Sequence, residues 1–181
     1  MIHWVKTMPP AKGDLTGYRP FIRNDWFRQH YMVFTYSLMT VLTVLAFLTC
    51  RCGEISLLMR YLLPVAVFLV HELLHILVVY RIGELYMTHS GIYFWLQSDA
   101  KMRKGRYWVF MSLPLITLTF VPAMALLWVS GPARQYLEYI AWANAIIAGS
   151  DIINSVLILL KPRDSVFYWG YYRTGACREA E

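Results

Sequence analysis

The run His71-Glu72-Leu73-Leu74-His75 places three ionisable side chains within five residues of an otherwise apolar stretch. On a helix, residues four apart lie one turn above each other on the same face, so both imidazoles can reach one metal ion. The glutamate beside the first histidine then stands where it can take a proton from a water activated at that ion. A catalytic zinc uses three protein ligands and keeps a further position open. Asp151 is the one carboxylate outside the motif that lies deep in an apolar segment, which makes it the expected third ligand. Asn144 lies seven residues before Asp151, and Asn154 and Ser155 three and four residues after it, which puts the four on one helix face. Asn144 and Asn154 are candidates to hydrogen-bond the metal carboxylate or to hold a substrate strand; the plainer alternative is that they tie neighbouring helices together. His89 reads as a turn-region residue, and His3 and His30 lie outside the apolar segments with no expected catalytic part.

These side chains have to be carried by membrane-crossing elements. Of the 181 residues 58% are hydrophobic and 15% charged, whereas a soluble domain has about 25% charged residues. The apolar residues come in long blocks, which excludes a water-soluble enzyme, a disordered tail or a nucleic-acid-binding module. Crossing a bilayer as a helix takes roughly 20 apolar residues. Four segments are long enough: 31–50, 61–80 with the H-E-x-x-H run, 107–130 with Pro114 and Pro122, and 136–160 with Asp151 and, near its start, Glu138. Prolines within the third segment predict kinks whose freed carbonyls need neighbouring protein or water. The expected fold is therefore an all-α membrane protein with four transmembrane helices, flanked by a segment 1–30 and a tail 161–181.

Charge gives the orientation. Of the 17 Lys and Arg residues, all but Arg51, Arg60 and Arg134 fall in the leading segment, the loop between the second and third spans, or the tail. The positive-inside rule then places both termini and the middle loop in the cytosol, and it accounts for the net charge of +6 without nucleic acid. His71 lies ten residues before Arg81, and Asp151 ten residues before Lys161. Both spans run outward to inward, so each group is expected about 15 Å from the cytosolic end of its helix. In the middle loop, Glu84 to His89 and Ile92 to Leu96 are rich in β-formers and flank Ser90-Gly91, which predicts a β-hairpin able to pair with an extended peptide. Cys50, Cys52 and Cys177 have neither disulfide-framework nor zinc-ribbon spacing. The first thirty residues hold Pro9, Pro10 and Pro20 and no signal-peptide core, so the first span is expected to direct insertion, as suits a bacterial inner membrane.

Ionisable groups in mid-membrane cost about 2.5–3.5 kcal/mol each even on the lenient insertion scale, so their presence points to function. An intramembrane H-E-x-x-H followed two spans later by a buried Asp resembles the site-2 protease type of intramembrane zinc metalloprotease. More narrowly, the chain resembles the small four-span zincin peptidase family, formerly a domain of unknown function. The matching stretches are His71 to His75, Ser112-Leu113-Pro114-Leu115 and Gly149-Ser150-Asp151-Ile152-Ile153-Asn154. The resemblance implies that His71, His75 and Asp151 bind zinc and that Glu72 is the catalytic base. It differs from the site-2 proteases in carrying Ile152 where they have glycine, and in lacking their Asn-Pro pair ahead of the aspartate. The expected function is a membrane-embedded zinc metallopeptidase acting on a peptide or membrane-protein substrate. The alternative is a non-proteolytic metal-binding membrane regulator or scaffold. No second Glu-x-x-His, G-x-S-x-G or G-x-G-x-x-G occurs, which argues against a di-iron bundle, a serine hydrolase and a dinucleotide enzyme.

Overall fold

The computed structural model describes residues 2–11, 13–50, 53, 55–90 and 93–175. Long apolar helices dominate it. After a short α1 (Asp25–Gln29), α2 runs over Tyr31–Thr49 and α3 over Leu57–Val79. The third helical stretch is α4 (Lys104–Leu115), a π-helical segment (Ile116–Phe120) and α5 (Val121–Ala125) in succession. The last consists of α6 (Pro132–Ile147) and α7 (Gly149–Leu159). Among the described residues, three helical stretches are long and apolar enough to cross a membrane, or four if α6 and α7 form one bent span.

Large apolar side chains such as Phe47, Leu48, Leu127 and Trp128 are exposed, while the polar His71, His75, Asn144 and Asp151 are buried beside the apolar core. Exposed apolar surface of this kind suits contact with lipid chains.

The structure amends the expected fold at three points. The all-α expectation is too narrow, because the helices carry two small sheets. One holds β1 (Ile2–Trp4), β3 (Leu85–Ser90) and β4 (Tyr93–Ser98) in the order β1-β3-β4. Its β3–β4 pair is the expected hairpin, with Leu85 opposite Ser98 and Ser90 opposite Tyr93; the predicted turn residue Gly91 lies outside the described residues, as do Cys52 and Cys177. The second sheet has the order β2-β7-β6-β5, from β2 (Arg19–Pro20), β5 (Met102–Arg103), β6 (Val166–Tyr168) and β7 (Tyr171–Arg173). It packs Phe21, Phe167 and Tyr172 against Ile158 of α7.

The expected segment 107–130 is not one regular helix: it starts at Lys104, passes through the π segment, and its last α-helical part ends at Ala125. The expected segment 136–160 is broken at Ala148, where α6 and α7 meet with a bend of 66°. Glycine at 149 lets α2 approach this join closely, since a Cβ there would stand 2.6 Å from Cγ of Met39. At the far end of α7, Lys104 Nζ donates to the carbonyls of Leu159 and Lys161, a cation placed where the helix dipole favours it.

Candidate metal centre

His71 and His75 sit on α3, one turn apart, with their ring centroids separated by 4.9 Å. Their Nε2 atoms lie 3.2 Å from each other. Asp151 Oδ2 is 3.0 Å from Nε2 of His71 and 3.1 Å from Nε2 of His75. All three residues are buried. Among the described residues, they form the grouping of His, Cys, Asp or Glu side chains able to hold a metal ion. The break at Ala148 makes Asp151 the third residue of a new helix, in the first turn of α7, where the helix dipole favours a carboxylate.

Each imidazole is aimed by a bond on its other nitrogen. His75 Nδ1 donates to the carbonyl of Phe110, 2.6 Å away. That carbonyl would accept from residue 114 in a regular helix, but residue 114 is proline and has no N–H to give. Pro114 thus frees an acceptor at the height of His75, and the carbonyl expected from the sequence to need neighbouring protein finds its partner there. His71 Nδ1 donates to Asn144 Oδ1 at 2.9 Å. The Asn144 amide is oriented in turn, since its Nδ2 donates to the Pro114 carbonyl at 3.1 Å and to Thr119 Oγ1 at 2.9 Å. Thr119 lies in the π segment and passes its own proton to the Ala141 carbonyl at 3.3 Å. π-Helical insertions are frequent at functional sites, and this one supplies Thr119 as an acceptor for the asparagine that fixes a histidine.

With both Nδ1 protons directed outward, each Nε2 presents a lone pair to the other and to a carboxylate oxygen. Three acceptors separated by 3.0–3.2 Å repel one another unless a cation or a proton lies among them. A tetrahedral zinc site with ligand bonds of about 2.0–2.1 Å has ligand–ligand edges of about 3.3 Å, close to those separations. The donor set and its spacing fit zinc. Beside it lies a cavity of about 340 Å³, lined by Glu72, Ser150 and Asn154 together with Thr35 and Met39 of α2 and Leu96 and Gln97 of β4.

The family model described as "putative zincin peptidase" matches residues 64–166, a range that runs from α3 through α7 to the start of β6. The chain belongs to this family. No curated protein and no solved structure matches it. The matched range of the zincin peptidase family contains the H-E-x-x-H run, Pro114, Asn144 and Asp151, so every group that orients a ligand histidine lies within it. The family is one of metallopeptidases by its description, and zinc is the metal that description implies.

Asn144 and Asn154 do not share one helix face, because the break at Ala148 puts the first on α6 and the second on α7. Asn144 bonds a histidine and not the carboxylate. Asn154 lies on the cavity wall and receives the hydroxyl proton of Tyr31 at 3.0 Å. His3 stacks on Tyr86, His30 Nδ1 meets the Trp26 carbonyl, and His89 lies in β3 beside Trp4, all outside this grouping. Sequence reasoning overlooked the Phe110 carbonyl, Thr119 and Tyr31. For the first, the signal was available: counting four residues back from Pro114 gives Phe110.

Proposed function

We propose that this protein is a membrane-embedded zinc metallopeptidase in which His71, His75 and Asp151 bind the metal and Glu72 is the general base. The observation that carries the reading is the trio of lone-pair atoms at 3.0–3.2 Å facing one another beside a cavity that Glu72 lines. Bound there, zinc supplies Lewis acidity that polarises a peptide carbonyl and acidifies a water. Glu72 accepts the proton of the attacking water and returns it to the departing amine. Asn144 and the Phe110 carbonyl hold the two rings in the tautomer that leaves Nε2 free for the metal. The apolar exterior supports insertion in a bilayer, and the distribution of Lys and Arg supports cytosolic termini.

The substrate is a peptide segment of a membrane protein. α2 packs on α6 and α7, whereas α3 packs on α4 and α6, and the cavity is lined from α2, α3, α4, α6, α7 and β4. β1 takes the outer edge of β3, which leaves β4 with one strand partner among the described residues. Leu96 and Gln97 of β4 line the cavity, so an unwound segment can pair with that edge next to the metal ligands.

The rival reading, a non-proteolytic metal-binding regulator, uses the same ligands and differs at Glu72. Membranes of cells producing the wild type or Glu72→Gln are compared for protein fragments at equal zinc content. Fragments present with the wild type and reduced about 10²–10⁴-fold with Glu72→Gln are the expected result. Identical fragment patterns would overturn the peptidase and favour the regulator.

A further inference from the structure

Asn154 is one turn beyond Asp151 on α7 and contributes to the same cavity wall. Residues three apart on a helix have Cβ atoms about 5–6 Å from each other, so the Asn154 amide is within reach of a group held at the metal ligands. Its orientation is set from outside the cavity. Tyr31, at the start of α2, donates its hydroxyl proton to Asn154 Oδ1 at 3.0 Å and lies 3.3 Å from the Ser150 carbonyl. The Ser150 carbonyl already serves as the helical acceptor for the Asn154 backbone N–H, four residues on. Oδ1 is therefore the main acceptor for the tyrosine. With Oδ1 turned to Tyr31, the Nδ2 group is the end of the amide left for the cavity, and among the described residues no protein acceptor meets it.

We propose that Asn154 Nδ2 is the oxyanion donor of the site and that Tyr31 is its positioning residue. The assignment rests on the peptidase reading above and extends it. When water adds to a peptide carbonyl, the C=O π pair moves to oxygen, and the negative charge needs a donor placed before the reaction begins. A neutral amide fixed by a part-buried hydroxyl bond provides this without adding a charge beside Asp151. Tyr31 sits on a different helix from every metal ligand. The assignment thus makes seating of α2 against α7 a condition for transition-state binding while leaving the metal ligands complete.

The test uses detergent-purified, zinc-loaded full chain and two probes: a Leu-Leu phosphoramidate, whose tetrahedral anion mimics the charged oxygen, and acetohydroxamate, which chelates zinc. Zinc content and melting temperature are measured beside every variant. The expected result is that Asn154→Ala and Asn154→Asp weaken phosphoramidate binding about 10²–10³-fold, the range for loss of one such donor. Tyr31→Phe weakens it about tenfold, and hydroxamate affinity and zinc content stay at wild-type values throughout. Asn154→Asp retains the acceptor for Tyr31 and removes the donor, so wild-type phosphoramidate affinity in that variant would overturn the assignment even if Asn154→Ala fails to fold. Equal losses for both probes would reduce Asn154 to a structural residue and also overturn it. Failure of the zinc-loaded wild type to bind either probe would overturn the peptidase reading itself, an outcome separate from any difference among variants.

Discussion

Pro114 and Pro64 each interrupt the hydrogen-bond ladder of a long helix, and the acceptors they release are put to different ends. In α4, the Phe110 carbonyl is met by the ring of His75, so the break in one helix aims a ligand on another. In α3, Pro64 frees the Arg60 carbonyl, which accepts from the Tyr139 hydroxyl of α6 at 2.7 Å. There the bond only ties two helices together, beside a groove of about 540 Å³ lined by Phe47, Cys50 and Trp142 among others. An unpaired carbonyl is costly in both places, and more so at the buried Phe110. What differs is the group that satisfies it: a phenol that anchors packing, or an imidazole whose other nitrogen is thereby left free to bind a metal.

The contrast can be broken or sharpened by substitution. Asn144→Ala removes the acceptor that holds His71, and zinc affinity should fall about 10–100-fold, as for other hydrogen-bond partners of metal ligands. Competition with a chelator of known affinity measures it, and unchanged affinity would show that the ring needs no such support. Pro114→Ala restores an N–H at residue 114 that competes with His75 for the Phe110 carbonyl. Zinc affinity should fall about tenfold, the low end of that range, with little loss of helix content by circular dichroism. Tyr139→Phe leaves the Arg60 carbonyl without its donor and should cost about 1 kcal/mol of stability. It should leave zinc affinity unaltered, and a drop comparable to that of Pro114→Ala would erase the distinction between the two prolines.

The sequence made the candidate metal ligands legible because their cost in an apolar segment is hard to excuse and because a helix fixes what spacing four means. Counting residues to the next basic side chain also placed His71 and Asp151 at one depth, and their side chains meet. That count survived the break at Ala148 because Asp151 and the ten residues after it lie beyond the break. The break itself was hidden, since Ala148 and Gly149 lie inside a long apolar segment with no proline, and the close approach of Met39 to Gly149 comes from another helix. The π segment was hidden for the same reason, as its sequence, Ile-Thr-Leu-Thr-Phe, reads as ordinary helix. β1 and β2 are short strands whose partners lie far along the chain, at Leu85 and Tyr172, so no local period reveals them. The β6–β7 hairpin went unread as well, because tryptophan is not a residue that signals such a turn. Its β-formers flank Trp169 and Gly170, both with positive φ, at 51° and 76°, as a two-residue turn needs.

Three side chains from two helices are proposed to hold one zinc ion. Metal content of detergent-purified protein, wild type beside Asp151→Ala, reads this out. About one zinc per wild-type chain is expected, with its loss or sharp weakening in Asp151→Ala. Wild-type protein that takes up no metal when zinc is offered, or an Asp151→Ala variant that holds zinc as tightly as the wild type, would contradict it.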